Sequence, residues 1–149
     1  MPTIPRDHFD TQILTRLRTL TGVEVFDVIV PVTPPSEPNA PGVVKPYAVY
    51  QPSGGGPSTM LTLADCDDSL VLRPMVKCVA GWRHKLMPLV DDVQDLLQRW
   101  RPAAPEGLDV SVSTLKFPLG FTAGTATVER GETPGRLFLT LWFEFTVST

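Results

Sequence analysis

The chain has 149 residues, 42% of them apolar and 19% charged, with a formal net charge of −3. That length suits one domain, residues 1–149, with a real core, and the composition is that of a folded chain rather than a disordered one. No apolar run approaches the roughly 18 residues of a membrane span, residues 1–10 lack a basic-then-apolar export signal, and the acidic balance argues against a tight grip on a nucleic-acid backbone.

Asp7 to Thr21 reads as a first helix, with Phe9, Ile13, Leu14, Leu17 and Leu20 as its stripe, Asp7 as cap and Gly22 as a left-handed stop. Val23 to Val32 reads as a strand because it is rich in β-branched residues. Residues 31–46 then form a proline-rich loop, part of an unusually high total of 16 prolines. A connection this long and this stiff suits a segment held against a partner.

Pro46 to Gln51 alternates as a short strand. Pro52-Ser53-Gly54-Gly55-Gly56-Pro57 follows. It is read as a hairpin tip and not a phosphate loop, because no Lys-Ser/Thr comes after it and a strand, not a helix, is next. Thr59 to Ala64 is the returning strand. Leu70 to Ala80 is another, interrupted by Pro74, which predicts an edge position or a bulge there.

The most legible element runs from Trp82 to Trp100. Trp82, Leu86, Leu89, Val90, Val93, Leu96, Leu97 and Trp100 recur at helical spacing, opposite Lys85, Asp91, Asp92, Asp95, Gln98 and Arg99. Pro102 stops it, and Pro88 is expected at the end of the first turn. Leu108 to Thr114 reads as a strand, residues 115–135 as a long irregular connection with a short strand at Thr125–Glu129, and Arg136 to Thr149 as one long strand. In that last strand Leu137, Leu139, Leu141, Phe143, Phe145 and Val147 take one face, and Phe138 and Trp142 lie on the other. The fold class expected is α+β: a mostly antiparallel β-sheet with two helices packed on one face.

Chemistry is sparse. His8 and His84 have no partners at metal-binding spacing, and Arg83 and Lys85 flank His84. Asp65-Cys66-Asp67-Asp68 reads as a charged turn without an EF-hand pattern. No nucleophile elbow is present, and Cys66 and Cys78 are read as free thiols. No catalytic, metal or cofactor residues are assigned. The features that stand out are surfaces, and a low-specificity assembly interface is drawn from Pro34, Pro35, Pro38, Tyr47, Tyr50, Gly54, Gly55, Gly56, Phe138 and Trp142.

Taken together, the elements resemble the tail terminator (tail completion) proteins of long-tailed phages. The residues that carry the likeness are the Ile13–Leu20 helix, the Val23–Val30 strand and Pro46-Tyr47-Ala48-Val49-Tyr50 before a loose loop. Gly81-Trp82 leading into Leu89-Val90-Asp91-Asp92-Val93-Gln94-Asp95-Leu96-Leu97, and the terminal Leu139–Val147 strand, complete it. The family has no catalytic signature, so the likeness rests on the order of elements across most of the chain; residues 31–44 and 115–135 look like insertions. It implies a homo-oligomeric ring, usually of six subunits, that caps the tail tube and offers a docking face to the head–tail connector or stopper protein. DNA would pass through the lumen without specific binding. The resemblance further implies a structural virion protein of the tail or neck, assembled in the host cytoplasm, with no cofactor and no membrane. Another neck component, such as a head–tail stopper, is the alternative. A small enzyme with a dispersed site at Asp65, His84 or Asp92 is the remote one.

Overall fold

The computed structural model describes residues 4–57, 69–122, 124–132 and 134–148. The returning strand expected at residues 59–64 and the cluster Asp65-Cys66-Asp67-Asp68 lie outside the described residues.

Two helices, α1 (Arg6–Leu17) and α2 (Arg83–Leu97), pack against strands in an α+β arrangement. The strands are β1 (Glu24–Asp27), β2 (Ser36–Glu37), β3 (Ala40–Val44), β4 (Tyr47–Gln51), β5 (Gly56–Pro57), β6 (Leu70–Leu72), β7 (Met75–Ala80), β8 (Ser111–Val112), β9 (Thr127–Val128), β10 (Leu137–Trp142) and β11 (Phe145–Ser148). The main sheet has the order β1-β4-β7-β10-β9, with only the β1–β4 pair parallel; a second sheet is ordered β5-β6-β11-β8, and β2–β3 forms a small hairpin.

Both helices cover one face of the main sheet. Ala48, Tyr50, Val76, Cys78, Leu139 and Leu141 meet Phe9, Ile13 and Leu17 of α1 and Leu86, Val90, Val93 and Leu97 of α2 in one core. Phe145 and Val147 bring the second sheet into the same core, with the Phe145 ring edge-on to Phe9 at 5.5 Å. Helix α2 follows its stripe closely: Leu86, Leu89, Val90, Val93 and Leu97 are buried, while Asp91, Asp92 and Asp95 face outward. Trp82 departs from the stripe, because the helix starts after it; its exposed ring stacks on His84 at 5.2 Å. Pro88 lies in the second turn and not the first, so it removes the bond its nitrogen would make to the His84 carbonyl.

The sequence and structure part at several breaks. Helix α1 is shorter than expected: Pro5 precedes it without a side-chain cap, so Asp7 does not cap it, and the chain leaves the helix at Arg18 before Gly22. The 31–46 loop is not without structure, because β2 and β3 pair within it. Strand β1 ends early at Val28, whose φ of 65° is unusual for a β-branched residue and turns the chain out of the sheet.

The largest correction concerns the two long strands. Leu70–Ala80 divides at Pro74, and Arg136–Thr149 divides at Phe143-Glu144. Strands β7 and β10 pair in the main sheet, and β6 and β11 pair in the second. A two-stranded ribbon therefore passes from one sheet to the other. Pro74 marks the bend and not an edge, since β7 is the central strand of its sheet. The alternation of the terminal strand nevertheless runs through the break: Leu139, Leu141, Phe143, Phe145 and Val147 are all buried.

Gly81 joins β7 to α2 at a site where no side chain fits. A Cβ there would stand 2.6 Å from Val43 Cγ1 and 3.0 Å from backbone atoms of Val44, and the Gly81 N–H donates to the Val44 carbonyl at 3.0 Å. The β2–β3 hairpin is fastened to the domain through that contact.

Candidate functional site

The face of the main sheet turned away from the helices has its own small core of Val44, Tyr47, Val49 and Val79, with Phe26, Val30 and Phe138 packed against it. Period-two alternation places these residues opposite the helix-facing set. The run after β1 stands on one side, Glu129, Glu132 and Arg136 on the other, and between them lies a cleft of about 400 Å³. Its apolar wall includes Val28, Val30 and Val32, and its polar wall is built from Lys77, Glu129, Glu132 and Arg136.

The polar wall is a lock between elements. Arg136 is buried, at 6% exposure. Its Nη1 donates to Tyr47 Oη at 3.2 Å, its Nε donates to the Pro134 carbonyl at 3.3 Å, and its Nη2 lies 3.5 Å from a Glu132 carboxylate oxygen. The Lys77 ammonium pairs with Glu129 and also stands 4.6 Å from the centroid of the Phe138 ring. Strand β4, strand β7 and the β9–β10 hairpin are thereby tied together across the sheet. Two cations meet two carboxylates, so the cleft is balanced in charge. Sequence reasoning missed Arg136 and Lys77. The available signal was period two, which puts Arg136 on the same face as Phe138 and Trp142.

On the helix side, the Tyr50 hydroxyl donates to Asp10 Oδ1 at 2.5 Å. Burial is the main cause that pushes the Asp10 carboxyl above its ordinary range, against the pull of that hydrogen bond. Burial and the neighbouring Asp10 push the Tyr50 phenol up as well. Cys78 is fully buried, and burial raises its thiol to about 12. Cys66, the other thiol, lies outside the described residues.

The expected interface residues do not form one patch. Tyr47 and Tyr50 are buried, at 2% and 0% exposure, so they hold the sheet and touch no neighbour from this surface. Their burial follows from β4 being covered on both faces. Pro34 is buried, Pro35 half-buried and Pro38 exposed at the β2–β3 hairpin. Gly54 and Gly55 are exposed beside the second sheet, and Gly56 is half-buried and pairs with Val71. Gly55 has a φ of 74°, and a Cβ there would lie 2.9 Å from the Leu70 and Leu72 side chains. Phe138 is half-buried, whereas Trp142 keeps 43% of its surface exposed at the end of β10. The run Val28–Val32, read as part of a strand, leaves Val28, Ile29 and Val32 exposed instead.

His84 and Asp92 are both exposed on α2. Among the described residues, no group of three or more His, Cys, Asp or Glu side chains is arranged to hold a metal ion, and no helix is long and apolar enough to cross a membrane.

These features define a two-helix α+β domain with a mixed main sheet and an open, partly apolar outer face. No protein-family model and no curated protein matches the chain. Among solved structures it is similar to a chain from the virion of a native gene transfer agent particle, with a TM-score of 0.57 and 15% identity, covering 93% of each chain. At that identity the likeness establishes the fold.

Proposed function

We propose that this chain is a structural protein of a phage-like virion and, within that class, a tail terminator: a ring, of six subunits on this reading, that caps the tail tube and joins it to the head–tail connector. The observation that carries the reading is the fold likeness to a virion chain over 93% of both chains. The order of elements, which resembles tail terminators, supports the finer role. So does the surface, where apolar side chains such as Ile29 and Trp142 are left for a neighbour to cover. The exposed row Asp91, Asp92 and Asp95 on α2 suits a lumen through which DNA slides without being held. The same fold likeness suits another neck component, such as a head–tail stopper, because the matched structure is described as a whole particle.

Electron microscopy of virions carrying a tagged copy tests this. The tag is expected in a six-fold ring between tube and connector, and particles made without the protein are expected to have tails that do not join heads. A tag confined to the head side of the neck selects the stopper reading. A protein absent from virions, with normal particles formed without it, overturns both.

A further inference from the structure

The main sheet ends in two open edges of opposite character. At one end lies β1, whose outer side has no partner strand among the described residues. Beyond it the positive φ of Val28 throws the run Val28–Val32 out of the sheet. This run is β-prone and apolar, yet Ile29 is 80% exposed and Val32 fully so. At the other end β9 pairs with only Leu137 and Phe138 of β10, and pairing on that side resumes at Lys116 with Glu144. Between these points residues 139–142 of β10 have no strand on their outer side among the described residues, and Trp142 stands there exposed.

The charges at the two ends differ. Glu24 and Asp27 are exposed on β1. Beside Trp142 the Arg73–Glu144 pair, at 2.9 Å, cancels its own charge and leaves the exposed Lys116 to make that end basic. Joining like edges would set acid against acid or base against base. Joining unlike edges sets acid against base and covers both apolar patches.

We infer that copies of this chain associate head to tail, with the Val28–Val32 run and β1 edge of one copy seated on the outer edge of β10, beside Trp142, of the next. Such a contact is heterologous and propagates until it closes on itself, which is how a ring forms. The inference rests on the reading of the chain as an assembling virion protein, and it names the surfaces that reading requires.

The test uses the purified full-length protein and measures mass by light scattering over a concentration series. The wild type is expected to give multiples of the 16.3 kDa chain. Ile29→Asp and Trp142→Glu are each expected to weaken association by at least about tenfold while melting like the wild type. Each variant keeps one sound edge, so an equal mixture is expected to recover a species of two chains and no larger. Lys116→Glu replaces Trp142→Glu should the latter fail to fold. A wild type that stays monomeric, single variants that assemble like the wild type, or a mixture that stays monomeric overturns the contact. Loss of the contact while tagged protein still sits in the virion neck removes this inference alone. An intact contact in a protein absent from virions removes the functional reading instead.

Discussion

Phe143 donates its backbone N–H to the Pro74 carbonyl at 3.0 Å, and this bond sits where both strands of a long ribbon cross from one sheet to the other. On one side Trp142 is in register with Met75, and on the other Phe145 is in register with Leu72. Proline supplies the bend because it has no N–H to give the ladder, and the buried Phe143 ring fills the corner, stacked at 5.4 Å on Phe117. Arg73 and Glu144 close the outside of the bend. Replacing Phe143 with alanine empties the corner. The expected loss is about 3–5 kcal/mol of unfolding free energy, measured by urea denaturation. Phe143→Leu is expected to lose clearly less, and an alanine variant as stable as the wild type would refute the role assigned to the ring.

Arg136 holds β10 to β4 through the Tyr47 hydroxyl. Truncation to alanine leaves that hydroxyl without its donor in a buried site, and the expected cost is roughly 1–3 kcal/mol. Lysine is not expected to rescue it, because one ammonium cannot reach the Pro134 carbonyl, Tyr47 and Glu132 as a planar fork does. Comparing the melting of Arg136→Ala, Arg136→Lys and Tyr47→Phe checks this; full rescue by lysine would contradict it.

Stability should also depend on pH through Asp10. Its carboxyl is held above the ordinary range in the folded chain, so the folded state keeps a proton that the unfolded state releases. The contribution is therefore fully present below the unfolded carboxylate range and is lost as pH rises through the raised folded value. Asp10→Asn removes this dependence. The stability difference between variant and wild type is expected to move in favour of the variant from roughly pH 3 to pH 7, read from urea unfolding. A difference that stays flat or reverses sign of slope would count against it.

Cys78 is sealed behind α2, with its thiol raised to about 12. In a Cys66→Ser background the native protein is expected to resist alkylation at neutral pH and to react only as fast as it opens. Rapid labelling under native conditions would show that the core is breached.

Much of this architecture was legible in the residues, and the failures have common causes. The stripe of α2 and the alternation of the last strand were readable because each pattern is repeated many times on one face. Trp82 misled because an apolar residue one step before a helix shares its spacing without sharing its geometry. The bends at Pro74 and at Phe143-Glu144 were hidden for a different reason: alternation continues unbroken through Phe143, so periodicity does not register a change of sheet. The β2–β3 hairpin was masked by its prolines. The cleft was the least legible, because Lys77 and Arg136 are distant in the chain and line one cleft only when β7 and β10 pair. Tyr47 and Tyr50 looked like surface aromatics, and only the layers on both sides of β4 show them to be internal.

The ribbon that turns at Pro74 and Phe143 also has a mechanical meaning. Both of its strands are continuous covalent chain on either side of the bend, so neither sheet can swing against the other about a free joint. A pull applied at the outer edge of β10 is carried by backbone into β11 and the second sheet, where it loads the β6 pairing along the strands rather than peeling it open. The two sheets are thereby held as one piece, without a hinge between them.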